Sequence, residues 1–323
     1  MVNIKKLLIS SFLALVATSS ALAQAWPAKT VTLLVPFPPG GSSDLIARTL
    51  GPELQQKLRT TFVVDNRAGD GGTLAAATAK DAAPDGYTIL VSSLGPFVIA
   101  PHLLKNLRYD PLSDFEYITV AVQAPNVLAV SANSPHKSLA DLLSSMRSSP
   151  RTVSFASAGI GTSDHLTAEL FWQETGTTGT HIPYKGGAPA MTDLLGGHVD
   201  ATFANINTSI PQIRAGALRA LAITSLKRSP LLPDVPTMEE SGLKGVTVYS
   251  WQGFAAPKGL PLDVKSKLHD ALLASLSNPQ VKTRLLHLGF EIIGNSPEQF
   301  TEFQAVEFAR WKRVIEVGKI KAD

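Results

Sequence analysis

The stretch Val31-Thr32-Leu33-Leu34-Val35-Pro36-Phe37-Pro38-Pro39-Gly40-Gly41-Ser42-Ser43-Asp44 decides the fold of this 323-residue chain. Its first five residues are apolar except for Thr32 and predict a buried strand. A loop of proline, glycine and serine follows and opens onto the helical pattern of residues 45–50. The start of a helix presents free backbone N–H groups and the positive end of the helix dipole, which together favour an anion. The stretch therefore predicts an anion site at the start of the first helix.

The same order of strand, loop and helix recurs at residues 153–164. An apolar strand ends near Ser157, the loop contains Gly159 and Gly161, and a helical pattern begins at Ser163. Glycines let a ligand come close to the backbone. Two such units in one chain suggest an anion held between two lobes.

The first residues have the three parts of a secretory signal peptide. Lys5 and Lys6 precede an apolar run over 7–17, and Ala21-Leu22-Ala23 ends the segment. A membrane anchor is the alternative, but the run is shorter than the roughly 20 residues that a spanning helix needs. We therefore expect a signal peptide over 1–23, which is cleaved, and a periplasmic protein.

Composition excludes several classes of protein. The chain contains no cysteine, so an exported form has no disulfides and is not a small disulfide scaffold. Loss of two lysines with the signal peptide lowers the formal net charge from +3 to +1. Lysines and arginines are scattered rather than clustered, which argues against nucleic-acid binding. The histidines show no metal-ligand spacing, so we expect neither a metal nor a cofactor.

Apolar strands alternate with helical patterns along most of the chain, which predicts an α/β fold with parallel sheets covered on both faces. A second α/β run begins with the strand at 126–130 and ends with the strand at 218–224. The segment 246–257 reads as a return crossing, and the helical C-terminal part is expected to pack back on the first lobe. We therefore predict lobe 1 at 25–125 plus 250–323, lobe 2 at 126–249, and a hinge at the two crossings.

Short motifs in a fixed order cover nearly the whole mature chain. They include Pro-Phe-Pro-Pro-Gly-Gly-Ser-Ser-Asp at 36–44, Val-Asp-Asn-Arg-Ala-Gly at 64–69, and further motifs at 83–88, 109–111, 157–159, 161–163, 183–186, 193–197, 215–222 and 232–237. With these motifs the chain resembles the Bug (TctC-like) receptors of tripartite tricarboxylate transport systems. These receptors are extracytoplasmic solute-binding proteins of proteobacteria.

The resemblance implies a monomeric, non-enzymatic protein with a type II-like Venus-flytrap fold, in which each lobe is a sheet flanked by helices. Such a protein closes on a small organic carboxylate and delivers it to a membrane transporter. In the family, one loop of each lobe holds the carboxylate through backbone amides, hydroxyls and bridging waters. Carried over by motif, the ligand-binding residues are Phe37, Pro38, Gly40, Gly41, Ser42, Ser43 and Asp44 in lobe 1, and Ser157, Ala158, Gly161, Thr162, Ser163, Tyr184, Lys185 and Asn205 in lobe 2.

Several of these residues have a second interpretation. The serines and threonine at the two helix starts are also ordinary helix caps. Asp44 fits a capping or loop-orienting role better than a ligand contact, because a carboxylate repels an anion. Lys185 either reaches a distal carboxylate or is solvated at the rim. Family members often carry Asp at the position of Asn205, and its absence here argues against an ammonium site on this wall. For Trp251, near the expected hinge, core packing is the favoured interpretation.

Two other functions remain open at this point. An exported hydrolase would place a serine within hydrogen-bond reach of a histidine that is itself held by a carboxylate. Ser163, Asp164 and His165 cannot form that arrangement, because they are adjacent on one helical turn. A binding protein that feeds a sensor rather than a transporter is the second alternative. The ligand could be a dicarboxylate, a tricarboxylate, an amino acid or an aromatic acid.

Overall fold

The computed structural model describes residues 26–322, so the predicted signal peptide lies outside the described residues. The strands are β1 Val31–Val35, β2 Phe62–Asn66, β3 Thr88–Ser92, β4 Phe115–Ser131, β5 Ser154–Ser157, β6 Thr180–Pro183, β7 Ala201–Asn205, β8 Leu218–Ile223, β9 Tyr249–Pro257 and β10 Glu291–Ile292. The helices are α1 Ser42–Leu58, α2 Thr73–Lys80, α3 Ala100–Leu103, α4 Leu139–Ser148, α5 Ser163–Thr175, α6 Gly187–Gly196, α7 Ile206–Arg214, α8 Leu262–Leu276, α9 Pro279–His287 and α10 Pro297–Gly318.

The strands pair in the order β2-β1-β3-β9-β4-β7-β5-β6, and β8 and β10 also pair with β4. The long strand β4 changes partners along its length: residues 115–125 pair with β9, whereas residues 126–131 pair with β7 and β8. We call β1, β2, β3, β9, β10 and residues 115–125 the N-terminal sheet. Residues 126–131 with β5, β6, β7 and β8 form the central sheet.

The α/β class is confirmed, but the prediction of parallel sheets is only partly right. The pairs β1–β2, β1–β3, β5–β6 and β5–β7 are parallel. Every pair that involves β4 or β9 is antiparallel. The reason is that β4 carries the chain into the central sheet and β9 brings it back, so the two strands run in opposite directions. The lobe bounds that the sequence suggests agree with the change of partners in β4, and they stay a prediction.

The N-terminal sheet has two cores: one packs against α1 and α8, and the other, which contains Trp251, packs against the C-terminal helix α10. The Trp251 side chain is 1% exposed. Its ring stacks on Phe97 with centroids 6.0 Å apart and meets Phe300 edge-on at 5.5 Å. Trp251 therefore packs in the core, as its favoured interpretation predicts. Helix α10 also contacts α5, because Gln173 Nε2 of α5 donates to the Val314 carbonyl of α10 at 3.0 Å.

The start of α10 supports a first prediction about stability. The Ser296 hydroxyl accepts a hydrogen bond from the Gln299 amide, and the Gln299 side chain accepts one from the Ser296 amide. We expect Ser296→Ala to lower the free energy of unfolding by about 1 kcal/mol, because helix amides then lose their cap. Urea denaturation measures this change. Ser296→Thr keeps the hydroxyl and is the matched control; equal loss in both variants would contradict the capping role.

Candidate functional site

A cavity of about 480 Å³, which we call the cleft, is lined by loops from both sheets. The loops that follow β1, β5, β6 and β7 all contribute. In open α/β sheets, ligands bind beyond the carboxyl ends of the strands, because helix starts and loop amides converge there. The cleft therefore lies where this architecture favours a ligand.

Helix α1 begins at the cleft without a side-chain cap. Its N-cap residue is Gly41, which has no side chain to bond the amides of the first turn. Asp44 instead stabilises the preceding loop, since its carboxylate accepts from the Gly40 amide at 2.9 Å and pairs with Arg48. Burial raises the pKa of Asp44, but hydrogen bonds from Arg48, the Gly40 amide and Asn66 outweigh it, so the pKa lies below its ordinary value.

Helix α5 begins at the same cleft and has a similar arrangement. The hydroxyl of its N-cap residue, Thr162, donates to the Gly159 carbonyl at 2.6 Å and makes no capping bond to the helix. The Asp164 carboxylate accepts from the Ala158 amide at 2.6 Å, so it too binds its own loop. Burial raises the pKa of Asp164.

Helices α6 and α7 also begin at the cleft, and neither has a side-chain cap. Away from the cleft, α4, α9 and α10 are capped by Ser138, Asn278 and Ser296, whereas α2, α3 and α8 also begin without a side-chain cap. Four helix starts without a hydrogen bond from an N-cap side chain thus surround one cavity, although at α5 the Asp164 carboxylate accepts from the amides of Asp164 and His165. Such groups bind an anion well.

Polar side chains join the two sheets across the floor of the cleft. Ser42 Oγ donates to Asn205 Oδ1 at 2.8 Å, and Asn205 Nδ2 donates to Asn126 Oδ1. In the N-terminal sheet, Ser43 Oγ donates to Gln252 Oε1 at 2.6 Å. Ser42 and Ser43, the first two residues of α1, are therefore held from both sheets, and Ser42 also contacts Asn207.

The loops that face each other approach closely because of two glycines. A Cβ at Gly186, where φ is +109°, would lie 3.3 Å from Pro38 Cγ of the opposite loop. A Cβ at Gly95 would lie 3.1 Å from the Gly161 carbonyl oxygen. Larger residues at either position would push the two sides apart.

Most of the predicted site residues lie at the cleft. Those that line it are Phe37, Pro38, Gly40, Gly41, Ser42, Ser43, Ala158, Thr162, Ser163, Lys185 and Asn205. The Phe37 ring is directed away from the centre, toward Gly72 and Gly95, and it fills the space between loops.

Four predicted residues do not line the cleft. Asp44 holds its own loop, and Ser157 is 1% exposed. Gly161 and Tyr184 line a second cavity, of about 670 Å³, on the other side of the 159–161 loop. The Tyr184 hydroxyl donates to Asp193 at 2.6 Å, and this hydrogen bond raises the pKa of Tyr184 to about 12.

Other lining residues were not predicted from the sequence. The polar ones are Ser93, Asp164, Thr202, Asn207, Thr208, Ser250 and Gln252. Gln252 carried a usable signal, because it is a large polar residue inside an apolar strand, where an unpaired amide would be unfavourable. The apolar ones come mainly from α6, α7 and the end of α9, whose approach to the cleft depends on tertiary packing.

A buried pair of histidines lies behind the second loop. The rings of His165 and His181 stack with centroids 3.9 Å apart, and His165 Nδ1 accepts from the Gly161 amide at 3.1 Å. Burial lowers the pKa of His165 to about 3, with a further contribution from His181, whose own pKa burial lowers to about 4. Both rings are therefore neutral near neutral pH. Burial raises the pKa of Glu169, near His165 Nε2, to about 7.

The histidine pair bears on the hydrolase alternative. Ser157 Oγ lies 2.6 Å from His181 Nε2, so one of the contacts that a hydrolase requires is present. Ser157 is buried, however, and does not line the cleft. Glu169 approaches His165, at 3.8 Å, rather than the histidine that contacts the serine. This geometry stabilises a loop and exposes no nucleophile to a substrate.

Comparison with known proteins gives consistent matches over most of the chain. Residues 46–320 match the sequence profile of the "Tripartite tricarboxylate transporter family receptor". BugT of Bordetella pertussis is 38% identical over 295 residues, which are 91% of this chain and 90% of BugT. Within residues 26–322, no helix combines the length and the apolar character that crossing a membrane requires.

Solved structures match the fold at similar levels of identity. R. palustris Rpa4515 with adipate is similar with a TM-score of 0.88 and 36% identity, covering 92% of this chain and 99% of that one. MatC (Rpa3494) from Rhodopseudomonas palustris with bound malate has a TM-score of 0.85 and 33% identity, covering 90% of this chain and 100% of that one.

Proposed function

This chain belongs to the tripartite tricarboxylate transporter receptor family, and on that premise we propose that it captures a small organic carboxylate and delivers it to a membrane transporter. Its relatives are solute-binding proteins and not enzymes, so the hydrolase alternative is wrong. Two similar proteins hold adipate and malate, and both ligands are carboxylates.

The observation that carries the proposal is the pair of uncapped helix starts, one from each sheet, in a single cleft. A carboxylate placed between them accepts from amides of both α1 and α5. It thereby bridges the two lobes that we propose at 25–125 plus 250–323 and at 126–249. A ligand that contacts both lobes favours the closed state, because its affinity for that state exceeds its affinity for the open one.

We assign two roles to the predicted ligand-binding residues. Ser42, Ser43, Thr162, Ser163 and Asn205 supply amides, hydroxyls or side-chain amides at the cleft. The other lining residues shape the wall. Asp44, Ser157, Gly161 and Tyr184 lie outside the lining and are proposed to position the two loops.

We further propose that the chain is exported by its N-terminal signal peptide, works as a monomer in the periplasm and meets the membrane subunits of a tripartite tricarboxylate-type transporter. Uptake of a labelled ligand by cells with and without the gene separates transport from sensing. Loss of uptake in the deletion strain supports transport, whereas unchanged uptake with a lost transcriptional response supports the sensor alternative.

Ligand binding is expected to raise the melting temperature of the purified mature protein. A ligand at 100 times its Kd stabilises a protein that binds it only when folded by about 2.7 kcal/mol. Thermal-shift screening of mono-, di- and tricarboxylates, amino acids and aromatic acids measures this, and isothermal titration then gives Kd. The neutral amide of each acid is the matched control. If no carboxylate raises the melting temperature above its amide, the proposal fails.

A further inference from the structure

We infer that the preferred ligand carries a single carboxylate on an uncharged, largely apolar body, as a medium-chain aliphatic or an aromatic monocarboxylic acid does. This inference rests on the proposed function and names the substrate class of the same cleft. It follows from three properties of the lining: its charged groups, the position of its polar groups, and its apolar wall.

Charged side chains are scarce at the cleft. Among the described residues that line it, only Asp164 and Lys185 are charged. The Asp164 carboxylate already accepts from the Ala158 amide of its own loop. Binding of an α-ammonium group requires a free carboxylate, so the cleft lacks the partner that an amino acid would need.

Lys185 cannot neutralise the several carboxylates of a tricarboxylate. Its side chain is exposed, and it lies where the cleft and the second cavity meet. An exposed lysine at such a rim is well hydrated and interacts weakly with a single charge. No arginine, which would bind a carboxylate through two hydrogen bonds, lies among the described lining residues.

The cleft lining combines a set of polar groups with a set of apolar side chains. Ser42, Ser163 and Asn205 lie close together where the two sheets meet. Their hydroxyls and side-chain amide, with the helix starts beside them, supply the hydrogen bonds for one carboxylate. The other side consists of apolar residues from α1, α6, α7 and the end of α9: Leu45, Pro189, Met191, Pro211 and Leu288. A second carboxylate placed against these apolar side chains would lose water and gain no hydrogen bond from them, whereas a hydrocarbon body would bury apolar surface.

Titration with pairs of a monoacid and the corresponding diacid tests the inference on the mature protein. We expect hexanoate to bind at least about tenfold more tightly than adipate, and benzoate at least about tenfold more tightly than terephthalate. Glutamate and citrate should bind more weakly still. Equal or tighter binding of the diacids, or of glutamate or citrate, would overturn the inference and leave the proposed function intact. Absence of binding by every acid would overturn both.

A pair of variants on one segment tests the wall directly. Leu288→Lys places a cation on the apolar wall. We expect it to weaken hexanoate binding about tenfold and to reduce the difference in Kd between hexanoate and adipate. Leu286→Lys adds the same charge two residues earlier, at a position that is 47% exposed and outside the cleft lining, and it should leave both affinities within about twofold.

Met191→Lys places a cation on the same wall from α6. If one of the two variants does not fold, the other still tests the wall. Melting temperatures without ligand report whether each variant is folded. Unchanged monoacid binding in folded Leu288→Lys and Met191→Lys would overturn the proposed contact with the wall.

Discussion

Ser42→Pro and Ser163→Pro are each expected to weaken carboxylate binding by about ten- to a hundredfold. Each substitution removes the backbone N–H of the first residue of a helix that begins at the cleft. A hydrogen bond to a charged group contributes about 1.5–3 kcal/mol, and a tenfold change in Kd corresponds to about 1.4 kcal/mol. The two effects are not expected to add, because both helix starts are proposed to bind the same carboxylate and both serines contact Asn205.

Both helices should tolerate proline at these positions. Proline is common as the first residue of a helix, where its amide has no intrahelical partner. The preceding residue must be extended, and Gly41 (φ −76°, ψ 169°) and Thr162 (φ −86°, ψ 165°) both are. We therefore expect melting temperatures without ligand close to that of the unmodified protein.

Alanine variants separate the amide from the hydroxyl. Ser42→Ala removes the hydrogen bond that Ser42 donates to Asn205, and Ser163→Ala removes the 3.4 Å hydrogen bond that Ser163 Oγ accepts from Asn205 Nδ2, while both variants keep the backbone N–H. Isothermal titration of the four single variants with the tightest ligand from the screen measures each effect. If proline and alanine weaken binding equally, side chains rather than helix amides hold the carboxylate, and the proposed mode of binding is wrong.

The sequence predicted the cleft well where local chemistry decides the outcome. Strand β1, the loop after it and the start of α1 follow directly from an apolar run, a proline and glycine segment and a helical pattern. The interpretation of Asp44 as a loop-orienting residue also agrees with its bond to the Gly40 amide. Both inferences depend on residues that are close in the chain.

Non-local packing explains what the sequence could not predict. The first part of β4 and its antiparallel partner β9 depend on pairing between segments more than a hundred residues apart. Helix α7 is not evident from the sequence, because Pro211 lies inside it and proline normally argues against a helix. Tyr184 belongs to a matching motif, yet its side chain turns to Asp193 and the second cavity, and no local rule gives that direction.

The last prediction concerns acid and the buried pair His165 and His181. Both pKa values are lower in the folded protein, about 3 and about 4, than the ordinary value of 6.5. Between pH 6.5 and these pKa values the unfolded chain therefore binds more protons than the folded protein does. The contribution of the neutral histidines to the free energy of unfolding is complete above pH 6.5 and decreases as the pH falls. By pH 4.5 the loss amounts to roughly 2–3 kcal/mol for each histidine.

Glu169 acts in the opposite direction over the same range. Burial raises its pKa in the folded protein to about 7, above the ordinary value of 4.5. The folded protein then binds the proton more tightly, so Glu169 contributes stability at low pH that is lost as the pH rises through 7. The net pH dependence of the unmodified protein is therefore smaller than the histidines alone would produce.

Two variants separate these contributions. When the pH is lowered from 6.5 to 4.5, we expect the free energy of unfolding of His181→Gln to fall by roughly 2–3 kcal/mol less than that of the unmodified protein. The free energy of unfolding of Glu169→Gln should fall by more than that of the unmodified protein. Urea denaturation at each pH measures the difference, and His198→Gln, at an exposed histidine, is the control that should follow the unmodified protein. Because only the change with pH is compared, a uniform loss of packing in a variant cancels. If His181→Gln and Glu169→Gln shift the pH dependence in the same direction, the histidines and the glutamate do not oppose each other, and the account of this cluster is wrong.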